Sequence, residues 1–204
     1  MFLRLFMLAT FLVSCSIVRA DLPTPVDATT AISMLGELVV AVDSNVPAYN
    51  RNFFKTWDII SDKVINSMYA AVLIRDGTGV VTDSSCKPTS GNWVSPYDGV
   101  PTNLASDLDI DHLVPLKEAW LSGARDWTNA TREAFANDLT RPQLVAVTDN
   151  LNESKGDRDV THFLPPLASY VCTYVLAWVQ VKHFWNLTID AAEQVTLQTQ
   201  LAKC

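Results

Sequence analysis

The stretch Asp109-Ile-Asp-His-Leu-Val-Pro115 gives the strongest indication of both fold and chemistry in this chain. It overlaps an apolar run, Leu108–Val114, whose length and composition predict a β-strand. Asp111 and His112 stand side by side near the end of that strand. A carboxylate is a hard ligand for a divalent cation, and a neutral imidazole can take a proton from water. The stretch predicts a metal ligand beside a general base or, on the simpler interpretation, a turn-capping aspartate beside a buried structural histidine.

A second polar segment, Asn152-Glu-Ser-Lys-Gly-Asp157, follows a short apolar run over Gln143–Thr148 that predicts a second strand. Asn152 and Lys155 share one face of a helix, so both can meet one ligand. Asn152 offers an amide oxygen to a metal, and Lys155 offers a cation to a phosphate. The simpler alternative is that Lys-Gly-Asp ends an ordinary helix.

Hydrophobic periodicity and helix-boundary residues predict most of the chain to be helical. The predicted helices are Thr30–Val42, Asp62–Arg75, Pro115–Ser122, Thr131–Asn137, a short segment after Asp149 that carries Asn152 and Lys155, Leu167–Trp185 and Asp190–Lys203. A Gly- and Pro-rich connection over 76–106 holds a predicted hairpin near Val80–Val81 and Trp93–Val94. The aromatic segment Tyr49–Trp57 predicts a packed anchor. Short strands among many helices indicate an α+β fold.

The amino terminus has the organisation of a secretory signal peptide over residues 1–20. Arg4 precedes the apolar run Leu5–Val13, and Val18-Arg19-Ala20 provides a small-residue cleavage site. The run is too short to anchor the chain comfortably in a membrane, and no later segment is long and apolar enough to cross one. We therefore expect a secreted, extracellular protein without stable membrane association, in which residues 21–204 form a single domain.

The formal net charge of −7 argues against a protein that coats nucleic acid through a broad basic face. It is compatible with an enzyme that touches a few phosphates through a metal ion and a local cation. Such an enzyme should bind its substrate weakly and lose activity as the salt concentration rises.

Cysteine spacing predicts one disulfide bond. Of the cysteines after the signal peptide, Cys172 and Cys204 fall in consecutive predicted helices and form the expected pair. Closing such a loop stabilises the fold by roughly 3 kcal/mol. Cys86 is then expected to carry a free thiol or an intermolecular link.

Four blocks of the sequence closely resemble small secreted HNH-type endonucleases of the ββα-metal superfamily, which are similar to the C-terminal domain of GmrSD-type modification-dependent restriction enzymes. The blocks are Asp109–Ala124, Arg132–Leu139, Pro142–Val147 and Asn152–Asp157. The resemblance implies a ββα-metal core over about 107–157, in which two strands and a helix grip one divalent ion, and flanking helices that include a C-terminal pair over 167–204. The implied ion is Mg²⁺, with Mn²⁺ and Zn²⁺ as alternatives.

The resemblance also implies roles for individual residues. Asp111 and Asn152 match the metal-ligand positions, and His112 matches the general base that activates the attacking water. Lys155 matches the basic position one helical turn after Asn152. We expect Lys155 and Arg158 to neutralise substrate phosphate.

Two departures from the pattern stand out. The middle HNH position, which steadies the loop and orients the base, falls near Gln143, with Asn137 as the other candidate. Upstream, such proteins often carry a Cys-Asn/Asp-Thr-Arg motif, whereas this chain has Ile65-Asn-Ser-Met68. The cysteine that would pair with Cys86 is therefore missing, and so is the arginine.

The combined pattern predicts a monomeric, metal-dependent endonuclease that hydrolyses phosphodiester bonds of DNA, with RNA as a second candidate substrate. Little sequence specificity is expected, because no base-reading element is evident. The alternative is a non-catalytic secreted interaction protein on an eroded HNH scaffold, which the upstream departures favour and the retained catalytic set opposes. A metal-dependent phosphodiesterase acting on small molecules is a third interpretation.

Overall fold

The computed structural model describes residues 23–56 and 68–204. The signal peptide expected over 1–20 lies outside these ranges, as does the beginning of the helix predicted over Asp62–Arg75. Within the described ranges, no helix combines the length and the apolar character needed to cross a bilayer.

The described residues form helices and two small antiparallel sheets, which agrees with the expected α+β class. The helices are α1 (Ala28–Glu37), α2 (Met68–Asp76), α3 (Leu116–Leu121), α4 (Asn129–Ala136), α5 (Asp149–Lys155), α6 (Ala168–Phe184) and α7 (Ala191–Leu201). The strands are β1 (Thr78–Thr82), β2 (Pro88–Val94), β3 (Pro101–Leu104), β4 (Leu108–His112) and β5 (Leu144–Thr148).

Strands β4 and β5 pair as a two-stranded antiparallel sheet. Asp111 is opposite Val145 and His112 is opposite Leu144, in a continuous register. Residues Leu144–Val147 of β5 are all buried, which explains why this run lacks polar alternation. Helix α5 begins directly after β5 and packs against both strands. The order is therefore strand, strand and helix around the predicted chemistry.

The chain between β4 and β5 forms α3 and α4, which return to the main core. Trp120 and Phe135 are buried there. Burying a large apolar side chain contributes about 1.5–3 kcal/mol, so these helices stabilise the long connection. Gly123 follows α3 with a φ of 130°, a backbone conformation that other residues rarely adopt.

The first helix is shorter than predicted, because α1 ends at Glu37 instead of Val42. Leu38 has an extended backbone. The amide of Ile189 then donates to the carbonyl of Val39 at 3.0 Å, within a parallel bridge. The apolar residues after Glu37 thus keep the helical spacing in the sequence, although the backbone there is no longer helical.

The predicted hairpin is confirmed as β1 and β2, but β3 adds a third strand to the same sheet. Trp93 of β2 pairs with Thr102 of β3. The sequence hides β3 because it is short and begins with Pro101, a residue depleted in strands.

Helices α6 and α7 form the expected C-terminal pair, and the predicted disulfide Cys172–Cys204 is confirmed, with the two Cα atoms 5.5 Å apart. Cys86 is also disulfide-bonded. The expectation of a free thiol there is wrong.

Candidate active site

A cleft of about 230 Å³ opens beside the end of β4 that carries Asp111 and His112. Helix α5 contributes Asn152 to its lining, and the turn before α2 contributes Arg51. Polar groups dominate the surface, so the cleft suits a charged, hydrated ligand better than an apolar one. The structure therefore brings Asp111 and His112 from one predicted segment, and Asn152 from another, to one cavity.

The Asp111 carboxylate is buried and held in a fixed orientation by two hydrogen bonds. Its Oδ1 accepts from Lys155 Nζ at 2.8 Å, and its Oδ2 accepts from the Tyr97 hydroxyl at 2.6 Å. Burial raises the pKa of Asp111, while Lys155 and Tyr97 act in the opposite direction. Each carboxylate oxygen has two lone-pair sites, so Asp111 can bind a cation in addition to these donors.

Lys155 is a buried cation, with 1% of its surface exposed. Besides the contact with Asp111, its ammonium donates to the carbonyl oxygen of His112 at 2.9 Å. Burial lowers the pKa of Lys155, and the Asp111 carboxylate opposes that shift. The ammonium thus lies behind the cleft, against the proposed metal ligand, and Lys155 is absent from the lining. The phosphate contact expected of Lys155 stays a prediction.

His112 is buried, and its orientation is set by the carbonyl of Ala136, which lies 2.9 Å from Nε2. A carbonyl can only accept, so Nε2 carries the hydrogen and Nδ1 is the basic atom of the neutral ring. Burial lowers the pKa of His112 to about 4, with Arg51 and Lys155 adding to the effect and the Ala136 carbonyl opposing it. The ring is therefore neutral at neutral pH, and its Nδ1 is unprotonated.

Gln143 fixes the backbone that follows His112. Its fully buried amide accepts from the Val114 amide at 3.1 Å and donates to the Val114 carbonyl at 2.8 Å. The carbonyl of Gln143 also accepts from the Leu113 amide at 2.8 Å. Asn137 instead donates to backbone carbonyls of Lys55 and Glu133. Of the two candidates for the loop-steadying position, Gln143 is the one that contacts the loop.

Asn152 lies on α5 with its Nδ2 donating to Asp109 Oδ2 at 3.3 Å. This contact directs the amide oxygen of Asn152 away from Asp109, so that the oxygen remains available as an acceptor. The side chain lines the cleft together with Asp111.

A carboxylate and an amide oxygen are ligands that a hard cation such as Mg²⁺ accepts. In the described part of the chain, no three His, Cys, Asp or Glu side chains converge on a metal position. The oxygens of Asp111 and Asn152 fit a site that water and substrate phosphate complete, as is usual for Mg²⁺.

Arg158 is exposed and lies outside the cleft lining. Its Nε donates to the carbonyl of Lys155 at 3.1 Å, and a second nitrogen donates to the carbonyl of Ser154. Its guanidinium also lies 5.6 Å from the centre of the Phe163 ring. These contacts brace the end of α5, and the expected phosphate contact of Arg158 stays a prediction.

Two residues of the site were missed from the sequence. Tyr97 is fully buried in the loop after β2, and its hydroxyl donates a hydrogen bond to Asp111. No local sequence pattern predicts this contact. Arg51 lines the cleft from the aromatic segment that was predicted only as an anchor. The presence of cations, Arg51 and Lys55, among the aromatic residues of this segment was the available signal.

Comparison with known proteins places this geometry in context. Residues 80–200 match the family described as GmrSD restriction endonucleases, C-terminal domain. The chain is 47% identical over 188 residues to an uncharacterized secreted protein of Arthroderma benhamiae, and the match covers 91% of each chain. No solved structure is significantly similar to it. The family match includes Asp111, His112 and Asn152 and leaves Arg51 outside.

Proposed function

The chain belongs to the family of GmrSD restriction endonuclease C-terminal domains, and we propose on that basis that it is a metal-dependent endonuclease that hydrolyses phosphodiester bonds of DNA. It is a secreted protein, like its relative in Arthroderma benhamiae, and the Cys172–Cys204 disulfide fits an extracellular chain. The expectation of secretion is thereby confirmed. RNA is the second candidate substrate, and β4, β5 and α5 are the proposed ββα-metal core.

The convergence of Asp111, His112 and Asn152 on one cleft is the observation that carries this proposal. A divalent ion bound by Asp111 and Asn152 would supply charge stabilisation for the phosphate and the leaving oxygen. Nδ1 of neutral His112 accepts a proton from the attacking water. The carbonyl of Ala136 orients the ring, and Gln143 holds the backbone next to it.

Lys155 and Tyr97 act through Asp111 in this proposal. Each donates to a different oxygen of the carboxylate, so the carboxylate cannot rotate away from the cleft. Partners that orient a metal ligand are often nearly as important as the ligand itself. Both are therefore proposed as positioning residues.

The test of the function is cleavage of supercoiled plasmid DNA, and of RNA in parallel, by the purified mature protein. We expect nicking with Mg²⁺, none with excess chelator, and recovery when Mg²⁺ is restored. Fragments without a common end sequence would support low specificity. If Mg²⁺, Mn²⁺ and Zn²⁺ all fail to support cleavage, the non-catalytic alternative replaces this proposal.

Removal of the Tyr97 hydroxyl should weaken metal binding. In Tyr97→Phe, Asp111 loses one of its two orienting donors, so the Mg²⁺ concentration for half-maximal cleavage should rise by about 10-fold or more. The matched control is Tyr174→Phe, because the Tyr174 ring lies 5.5 Å from Tyr97 and its buried hydroxyl has no hydrogen-bond partner among the described residues. An unchanged Mg²⁺ dependence in Tyr97→Phe would contradict the positioning role.

A further inference from the structure

The cleft has a cation at its surface that neither the resemblance nor the family match identifies. The two cations expected to meet phosphate are not in the cleft lining: Lys155 is buried against Asp111, and Arg158 is exposed outside it. Within the described residues, Arg51 is the cation that lines the cleft. Its neighbours in that lining include the carboxylates of Glu153 and Asp157. A polyanionic substrate that enters the cleft meets these negative charges, and Arg51 is the residue in the lining that can neutralise its charge.

The backbone beside Arg51 is firmly packed although its side chain is exposed. The Phe53 ring stacks on Trp120 of α3 with the ring centres 5.0 Å apart, and Phe54 is buried. The indole nitrogen of Trp120 donates to the Pro47 carbonyl at 2.9 Å. This aromatic anchor fixes the turn against the helix that follows the catalytic strand, and so it determines where Arg51 enters the cleft.

Arg51 lines the same cleft as the proposed base, His112. A scissile phosphate has to lie beside the imidazole that acts on the attacking water, and therefore in the cleft that Arg51 lines.

We propose that Arg51 binds the substrate phosphate in the cleft that it lines together with Glu153 and Asp157. This inference rests on the proposed function and assigns the phosphate contact to a segment outside residues 80–200. The planar guanidinium can donate two parallel hydrogen bonds to phosphate oxygens, which an ammonium group cannot do. The contact neutralises one phosphate charge and holds the phosphodiester near His112.

Equilibrium binding of a short fluorescent DNA duplex, measured by anisotropy in excess chelator, tests this contact without cleavage. Arg51→Ala should bind about 10-fold more weakly than the wild-type protein at low salt. Its plot of log affinity against log salt concentration should be less steep by about 1 unit, as one fewer counterion is released. Arg51→Lys should keep the slope and recover only part of the affinity.

Lys87→Ala is the charge-matched control, because Lys87 is exposed on the turn between β1 and β2 and does not line the cleft. It should bind like the wild-type protein. The inference is overturned if Arg51→Ala retains wild-type affinity and salt slope, or if the wild-type protein shows no salt-dependent binding.

Plasmid cleavage with Mg²⁺, measured on the same preparations, separates this inference from the proposed function. Cleavage by the wild-type protein combined with unchanged binding by Arg51→Ala removes the Arg51 contact and leaves the nuclease function. Weakened binding by Arg51→Ala without any cleavage by the wild-type protein supports the contact and removes the function.

Discussion

Replacement of His112 by alanine is expected to lower kcat/KM for DNA cleavage by about 10²–10⁴-fold. The imidazole is the proposed base and lines the cleft, and its burial keeps the pKa below neutral, so Nδ1 is unprotonated at neutral pH. Alanine removes that acceptor. Metal binding should persist, because Asp111 keeps both of its hydrogen-bond donors. The loss should therefore fall mainly on kcat, with the Mg²⁺ requirement little changed.

The fold should survive this replacement at a modest cost. The Ala136 carbonyl loses its donor, which lowers the free energy of unfolding by about 1–3 kcal/mol. Thermal unfolding followed by circular dichroism checks that the variant is folded under assay conditions. His183→Ala is the matched control, because His183 lies on α6, interacts with Glu37 and does not line the cleft. It should cleave like the wild-type protein.

Added imidazole provides a further test of the base. Alanine at 112 leaves room for a small ring where the original side chain was, so imidazole in solution should partly restore cleavage by His112→Ala and have no effect on wild-type protein. If His112→Ala cleaves DNA at the rate of the wild-type protein, another group deprotonates the water.

The residues of the cleft differ in how far the sequence could predict them. Asp111 and His112 are adjacent, and Asn152 lies in a compact polar motif, so their chemistry is visible in contiguous residues. Lys155 shares a helix face with Asn152, as predicted from the spacing, but spacing does not determine depth. Its burial depends on how α5 packs against β4, which is a long-range property. Tyr97 was missed for the same reason.

The elements of the fold show a similar division. Strands β4 and β5 form within the predicted runs, although β4 ends at His112 instead of Val114. The predicted end of α1 was wrong, because a bridge to Ile189, which is distant in sequence, replaces the helix after Glu37. Local periodicity cannot register such competition between helical and long-range hydrogen bonds. The Cys172–Cys204 pair could be predicted from the sequence, since Cys172 lies in α6 and Cys204 follows the end of the next helix, α7.

A buried ion cluster joins α3, α6 and α7. No local pattern in the sequence predicts it. Lys182 is fully buried, and its ammonium lies 2.6 Å from carboxylate oxygens of both Glu118 and Glu193. It also donates to the Thr188 carbonyl at 3.1 Å. The other oxygen of Glu193 accepts from the Trp178 indole at 2.9 Å. Glu118 lies on α3, the helix that follows β4, so the cluster secures one flank of the cleft.

The charges in this cluster depend strongly on one another. Burial raises the pKa of Glu193 to about 7, with Lys182 opposing the shift and Glu118 adding to it. Burial also opposes the charge on Lys182, but Glu193 and Glu118 outweigh it and raise the pKa of the ammonium. One cation therefore compensates two buried carboxyl groups, and its removal leaves both without a counter-charge.

Lys182→Met should accordingly lower the free energy of unfolding by about 3–5 kcal/mol at neutral pH, because it removes the cation of a buried ion cluster and leaves two buried carboxylates without a counter-charge. Urea denaturation at pH 7 measures the loss. Lys117→Met is the matched control, since Lys117 forms a half-exposed pair with Asp157 at 3.8 Å. Such surface pairs contribute about 0–1 kcal/mol. A loss in Lys182→Met as small as that of the control would contradict the role of the cluster.

The pH dependence of this loss gives a second, independent check. Without the cation, the folded-state pKa of Glu193 rises further above the ordinary carboxyl value of about 4.3. A raised pKa in the folded state means that ionisation destabilises the fold. The deficit of Lys182→Met should therefore be largest above the folded-state pKa of Glu193 and should shrink as the pH falls towards the ordinary value. Combining Lys182→Met with Glu193→Gln, which replaces one charge by a neutral amide, should recover part of the stability at pH 7. A deficit that grows on acidification, or a double variant less stable than Lys182→Met, would show that the carboxylates are not what the lysine compensates.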